Sequence, residues 1–549
     1  MSSWRIHTIF FILLFAGAGI VARMFYIQVV QGGYYAALAK GQQSEYQSIK
    51  DLRRDIFIQD RFSPSGKYLA ATQKKWFTLY AVPKEITDRE FDVSKIAPYI
   101  LAWSTSATSS PDAIKEELNI KLAKKEDSYE SLAAKLTAEQ TEEIRTLGIK
   151  GLYIKAEDLR HYPGGELASH TLGFVGYKGE ERAGQYGVEG YYNDFLKSKN
   201  TILGGAKNLE LSVDYNIQFM LENELKKARE FLAADSGSGI IMDPRTGEII
   251  AMAQDNSFDP NNYSKVQSID VFLNDSVQKM FEPGSSFKPF TMAAALDAGV
   301  ITPVSEYVDK GYVQVWDRTF KNANEKVYGL KNMTNVLELS LNTGAVFAQQ
   351  ALGNDQFREY MRRFNFGGRT GIDIQGEVAG DMQNIYHTSR DVNFATASFG
   401  QGIAATPIQL ITAFSAFANG GRMVKPHVIK GSEPEFIGEP ITSKTAAQIT
   451  AMLVSVVENG YSKKAKVHGY KVAGKTGTAQ VPDKERGGYL RDKTVHSFIG
   501  FAPAYNPKFV AFIKMDGPKN INFASDSIAP IFSRVAEYIL NYYEIPPDN

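Results

Sequence analysis

The chain has 549 residues, 44% of them hydrophobic and 22% charged, too long for one ordinary core, so two or three domains are expected. Its 61 basic residues balance 61 acidic ones, which leaves no overall field toward nucleic acid or anionic lipid. The absence of cysteine excludes disulfides, a thiol nucleophile and thiolate metal sites.

Between Thr8 and Val30 the only strongly polar residues are Arg23 and Gln28. As a helix this stretch would span about 34 Å, enough to cross a bilayer core. Apolar sequence continues past the cleavage-like Ala16-Gly17-Ala18, so an uncleaved membrane anchor over 8–30 is expected, behind a cytoplasmic tail at 1–7. Basic residues flank the span on both sides, Arg5 before it and Lys40, Lys50, Arg53 and Arg54 after it, so charge alone does not set its orientation.

Residues 31–208 mix strand-like and charged helical runs. A strand is expected over 76–82, ended by Pro83; 104–110 is a Ser/Thr-rich breaker, and helical sequence follows over 113–146. Tyr162-Pro163-Gly164-Gly165 and Gly187-Val188-Glu189-Gly190 mark turns. Nothing there has catalytic spacing, and a non-catalytic platform is the expectation. A second body, 209–549, opens with helical spacing over 214–233 through Ile217, Met220, Leu221 and Leu225. A hairpin pattern follows, Gly239-Ile240-Ile241-Met242, a turn at 244–247, then Ile249-Ile250-Ala251-Met252. Strand candidates at 496–501 and 509–515 and a helix over 528–543 close the chain. Such a distribution predicts an α+β body whose sheet joins both of its ends.

Three segments carry chemistry. In Glu282-Pro283-Gly284-Ser285-Ser286-Phe287-Lys288-Pro289-Phe290, Pro289 must lie in a helix's first turn, so the helix starts near Ser285 or Ser286, and Gly299 suits its end. Ser285 and Lys288 then share one face, where a neutral amine can take the proton of a hydroxyl nucleophile. Ser340-Leu341-Asn342 offers a hydroxyl and an amide together. Lys475-Thr476-Gly477-Thr478 follows Val472-Ala473-Gly474, where a cation and exposed N–H groups on a strand edge could hold a carboxylate and an oxyanion.

In this order the three segments resemble the signature of class B penicillin-binding proteins, monofunctional peptidoglycan D,D-transpeptidases. The likeness runs over nearly the whole chain through Arg160-His161-Tyr162-Pro163, Gly173-Phe174-Val175-Gly176, Gly187-Val188-Glu189-Gly190, Gly400-Gln401-Gly402 and Thr406-Pro407. One departure is Arg53-Arg54-Asp55-Ile56, where the family carries Arg-Gly-x-Ile. The resemblance implies a transmembrane helix, an elongated pedestal over 31–208, and over 209–549 a β-lactamase-like transpeptidase domain with a central antiparallel sheet flanked by helices. It implies Ser285 as nucleophile, Lys288 as its base and Ser340 as proton relay. Asn342 would hold Lys288 and the substrate amide, and Lys475 and Thr476 would anchor the terminal carboxylate. The N–H groups of Ser285 and Thr478 would form the oxyanion hole, with Gly477 allowing close approach. Expected partners are peptidoglycan stem peptides on a lipid-linked precursor or nascent glycan, β-lactams, a SEDS-type glycan polymerase and other division proteins. A septal role is favoured over elongation, with the catalytic body outside the cytoplasmic membrane and no nucleic acid, cofactor or catalytic metal.

Two other readings stand beside this one. A membrane-anchored D,D-carboxypeptidase, or a β-lactam hydrolase or sensor, would share the fold. Gly469-Tyr470-Lys471-Val472-Ala473-Gly474-Lys475-Thr476 also fits the phosphate-loop pattern of nucleotide hydrolases, which needs a buried strand before it and a helix after it. The charged Lys463-Lys464-Ala465-Lys466 and the later Gly477 and Pro482 disfavour that context.

Overall fold

The computed structural model of the chain describes residues 3–25, 53–103, 110–124, 127, 129–179, 181–197, 208–323, 325–483, 485–519 and 521–548. The N-terminal helix Ser3–Phe25 contains the stretch His7–Phe25, whose mean hydropathy is 2.1 and which is nowhere buried. At 1.5 Å per residue it is long and apolar enough to cross a bilayer core. The expected continuation to residue 30, Lys40, Lys50 and most of the Ser/Thr-rich breaker lie outside the described residues.

The chain divides into two compact units, Met1–Arg54 with Thr72–His161 and Lys197–Ala206, and Asp55–Ala71 with Tyr162–Leu196 and Lys207–Asn549. Two segments that precede residue 209 therefore belong to the second unit. Ile56–Gln59 is drawn there by pairing parallel to Leu209–Asp214 and antiparallel to the start of the Lys67–Ala81 strand, and such distant pairings leave no local pattern.

In the first unit, residues 72–81 of that strand pair with Leu152–His161 on one side and with Glu130–Leu136 on the other. Val93, Ile96, Ile114, Leu118 and Ile144, from the helices Arg89–Trp103, Pro111–Leu122 and Ala138–Arg145, close over Leu79, Ala81, Leu132 and Leu136. The continuous helix expected over 113–146 is thus interrupted by a strand. Glu130–Leu136 is made of good helix formers, but sheet pairing and burial of Leu132 and Leu136 outweigh a propensity worth a few tenths of a kcal/mol per residue. The Thr137 hydroxyl and the Gln140 side chain form a capping box that starts a new helix.

The second unit is built on a five-stranded antiparallel sheet in the order Ala473–Pro482, Tyr489–Ala502, Phe509–Asp516, Ser236–Met242, Ile249–Gln254. Strand alternation gives the sheet two apolar faces. Phe498, Ile513 and Ile241 pack against the helices Tyr215–Leu232 and Ala529–Tyr542, whereas Ile499, Phe512 and Ile240 share a core with Phe290, Phe414 and Leu453. This is the α+β sheet with flanking helices predicted above, its strands drawn from both ends of the body. Ala473–Pro482 is an edge strand, so part of its N–H row faces away from the sheet. The phosphate-loop reading fails here, because Gly474, Lys475 and Thr476 lie inside this strand and the next described element is the strand Tyr489–Ala502.

Candidate active site

The segment around Ser285 is shaped by close backbone approaches on two sides. Gly284 has φ +54°, and a β-carbon there would lie 2.9 Å from Ala479 Cβ and 3.1 Å from Thr478 O. Its N–H donates to Gly400 O at 2.9 Å, and a β-carbon on Gly400 would fall 2.2 Å from Gly284 O. Phe281 and Ala405 exchange both backbone hydrogen bonds at 3.0 Å. The Ser285 loop is therefore clamped between the edge strand and residues 400–405, which explains Gly400-Gln401-Gly402 as a structural landmark. Residues Gly284–Phe287 form a 3-10 turn, and the α-helix proper is Lys288–Asp297, with Pro289 in its first turn and Gly299 just beyond its end. The Lys288 N–H donates to Ser285 O, and Phe287 and Phe290, both fully buried, fix the turn in the core.

Lys288 and Lys475 are each 1% exposed. The Lys288 amine donates to Ser340 O at 2.5 Å and lies 3.3 Å from Ser340 Oγ. The Lys475 amine donates to Ser340 Oγ and to Thr476 O, both at 3.0 Å, and reaches Thr476 Oγ1 at 3.4 Å. Burial, and then the neighbouring Lys475, hold the Lys288 amine well below its ordinary value; burial lowers Lys475 to about 7. Burial is thus the main reason a neutral amine is accessible here.

Ser340 has φ +54°, a left-handed conformation costing a non-glycine residue roughly 1 kcal/mol. In it, carbonyl and hydroxyl serve the two lysines together. Asn342 does not hold Lys288 as expected, since its amide donates to Lys321 O at 2.9 Å. Asn322, which no sequence signal marked, accepts from the N–H groups of Asn342 at 3.0 Å and Thr343 at 3.4 Å and donates to buried Asp309. This network fixes the start of the helix Asn342–Leu352. Among the described residues the Ser285 hydroxyl makes no hydrogen bond, so the direct contact with Lys288 is not formed; such contacts often tighten only around substrate.

Gly477 is the closest approach of the edge strand, where a β-carbon would lie 2.4 Å from Ser497 Oγ and 2.9 Å from Pro283 O. The Thr478 hydroxyl accepts from Ala524 N at 3.1 Å. Ser462, fully buried, lies 3.5 Å from Thr476 Oγ1, and Glu282 accepts from Gly402 N at 3.1 Å. Neither was anticipated, although Glu282 sits inside the motif. Burial raises its carboxyl, against the hydrogen bonds from Tyr489 and Gly402. The structure thus gathers Lys288, Ser340, Lys475 and Thr476 in direct contact, with the Ser285 loop packed on Gly477 and Thr478.

The family model described as the penicillin binding protein transpeptidase domain matches residues 237–537, and that of the penicillin-binding protein dimerisation domain matches 58–209. Stage V sporulation protein D of Bacillus subtilis is 33% identical, over 93% of this chain and 82% of its own. A probable peptidoglycan D,D-transpeptidase, PbpC of Pseudomonas aeruginosa, is 29% identical over 100% of this chain and 96% of its own. The crystal structure of penicillin-binding protein 3 from Mycobacterium tuberculosis complexed with aztreonam superposes with a TM-score of 0.66 at 30% identity, covering 72% of this chain and 92% of that one. With both family domains in order behind an apolar helix, the chain belongs to the class B penicillin-binding proteins.

Proposed function

We propose that the chain is a serine-type peptidoglycan D,D-transpeptidase that cross-links stem peptides during septal wall synthesis. The observation that carries this reading is the meeting of two buried amines on one hydroxyl, Ser340 Oγ, beside the clamped Ser285 turn. Ser285 attacks the carbonyl between the two terminal D-alanines as Lys288, kept neutral by burial, takes its proton. Ser340, touching both amines, passes a proton to the leaving D-alanine. Lys475 and Thr476 receive the terminal carboxylate, and Asn342 the substrate amide. The N–H groups of Ser285 and Thr478 face the oxyanion, with Gly477 permitting the approach. An amine of a neighbouring stem peptide then attacks the acyl-enzyme, forming the cross-link and freeing Ser285. β-Lactams acylate the same hydroxyl.

The relatives' names, a sporulation protein among them, support the septal assignment. We further propose that residues 8–30 anchor the chain with its catalytic body on the outer side of the cytoplasmic membrane. Residues 31–208 serve as a non-catalytic pedestal, and a SEDS-type polymerase supplies the glycan. The test is twofold. Mass spectrometry after labelling with fluorescent penicillin should place the adduct on the peptide containing Ser285. A labelled stem peptide with an acceptor amine should give cross-linked product; release of D-alanine with water as the sole acceptor would replace transpeptidation by the carboxypeptidase reading.

A further inference from the structure

Two of the site's segments are joined by a third that carries no catalytic motif, the C-terminal end of the helix Ser443–Glu458 and the loop after it. Glu338 stands two residues before the left-handed Ser340 and is tied to that end through backbone and side chain. Its carbonyl accepts from Tyr461 N at 3.0 Å, one carboxylate oxygen accepts from the Ser455 hydroxyl, and the other accepts from Asn335 Nδ2 at 2.9 Å. Gly460 makes the approach possible, because a β-carbon there would lie 2.6 Å from Glu338 O and 2.8 Å from its Cα. Two residues on, the buried Ser462 hydroxyl faces Thr476 Oγ1 at 3.5 Å. The Tyr461 hydroxyl meets that of Tyr328 at 3.0 Å, which closes the bridge on its outer side.

We infer that Glu338, with Ser455, Gly460 and Ser462, forms a positioning bridge that holds the Ser340 turn and the Thr476 hydroxyl in mutual register for acyl transfer. The physical need for it lies in the turn. A non-glycine residue at φ +54° relaxes unless its surroundings hold it, and the hydrogen bond from the Lys475 amine to Ser340 Oγ tolerates little movement. Helix capping and the bond from Ser340 N to Leu337 O at 3.2 Å hold the turn from within. Glu338 ties it to the loop that supports Thr476. Neither Glu338 nor Ser462 touches substrate in this scheme; each acts through a neighbour. The two ends have different duties, so they fail differently. Loss of Glu338 lets Ser340 drift and slows the chemical step. Loss of the Ser462 hydroxyl frees Thr476 to rotate and weakens capture of the carboxylate-bearing ligand.

This inference rests on the transpeptidase reading, and the experiment separates the two. Full-length protein in detergent is acylated with a fluorescent penicillin at several concentrations, giving a limiting rate and a half-saturation concentration for each variant across pH. Glu338→Ala is expected to lower the limiting rate about tenfold or more and to move the acid limb of its pH profile, with half-saturation changed less than about threefold. Ser462→Ala should raise half-saturation several-fold and leave the limiting rate within about twofold. Glu338→Gln, which keeps an acceptor for Ser455, should recover most of the loss. Ser455→Ala, which removes one partner, gives a milder version of the Glu338→Ala profile and stands in for it if that variant does not fold. A Glu338→Ala or Ser455→Ala protein with a lower melting temperature but wild-type limiting rate and pH profile overturns the bridge. A wild-type protein that takes no label on Ser285 overturns the transpeptidase reading instead.

Discussion

Buried charge is handled in two ways in this molecule. In the unit containing Thr72–His161, Glu130 is 8% exposed and is met by Lys124 at 2.5 Å, and the partly exposed Lys155 is met by Glu157 at 2.7 Å. Lys514, on the catalytic sheet, follows the same rule at 2.5 Å from Asp516. Lys288 and Lys475 do not. Among the described residues no carboxylate pairs with either, and their neighbours are hydroxyls, carbonyls and each other. An unpaired buried ammonium costs several kcal/mol, so such a group discharges and becomes a base. Pairing serves the fold, and in the mechanism proposed above its absence serves the chemistry.

The largest effects come from exchanging the two situations. Lys288→Met should lower acylation by fluorescent penicillin about a thousandfold or more, because it removes the base proposed for Ser285. The same change should raise the melting temperature, because an apolar side chain replaces an unpaired buried amine, a gain of about 1–3 kcal/mol. Lys514→Met should behave oppositely, losing about 1 kcal/mol by taking from Asp516 its cation and leaving it the Ser236 hydroxyl, while acylation stays within about threefold. Equal behaviour of the two methionine variants, in acylation rate and thermal scans, would break the contrast.

Stability against pH sharpens it. The Lys475 amine titrates at about 7 in the folded chain against 10.5 as its ordinary value. Between those values the unfolded chain binds more protons, so unfolding free energy rises with pH, by about 1.4 kcal/mol per unit from this group. The penalty is fully present below pH 7 and gone above 10.5. Lys288, displaced in the same direction, adds to the slope. Denaturant titrations from pH 7 to 10 should therefore show wild type gaining on Lys475→Met; parallel curves for the two would mean that Lys475 keeps its proton partnered in the folded state.

What could be read from sequence followed the range of the interaction involved. The 3.6-residue spacing of Ile217, Leu221 and Leu225 and the hairpin around 244–247 are local patterns, and both elements form. The Pro289 constraint correctly put that proline in a helix's first turn, but the α-helix begins at Lys288, and Ser285 and Ser286 lie in the 3-10 turn before it. The segment 130–136 misled because its residues favour helix while their sheet partners lie about fifty residues earlier. Asn322, Glu338 and Ser462 were invisible for the same reason, since each supports the site through a contact far along the chain. Gly477 was legible as a close approach, but not what it approaches. Gly477→Ala tests that contact, because the new methyl would press on Pro283 O and push the Ser285 loop off the strand. Acylation should fall about tenfold, with stability lowered by about 1–3 kcal/mol. Wild-type acylation would mean that the loop has room to give.

The smallest effect is expected where charge is paired and half in water. Lys155 and Glu157 are each 24% exposed, two residues apart on one strand and so on one face of the sheet. Such a pair gains little over hydration and loses side-chain entropy, and it is screened by salt. Lys155→Ala should cost no more than about 0.5 kcal/mol, less at high ionic strength, and leave the acylation rate of Ser285 unchanged. The last part carries the weight. If the unit is a pedestal, a charge removed from its sheet reaches the chemistry only by unfolding it, which so small a cost does not do. A Lys155→Ala protein that keeps its melting temperature but acylates several-fold more slowly would show that the unit acts on the site. The contrast between paired and unpaired lysines would then no longer divide structural from catalytic charge.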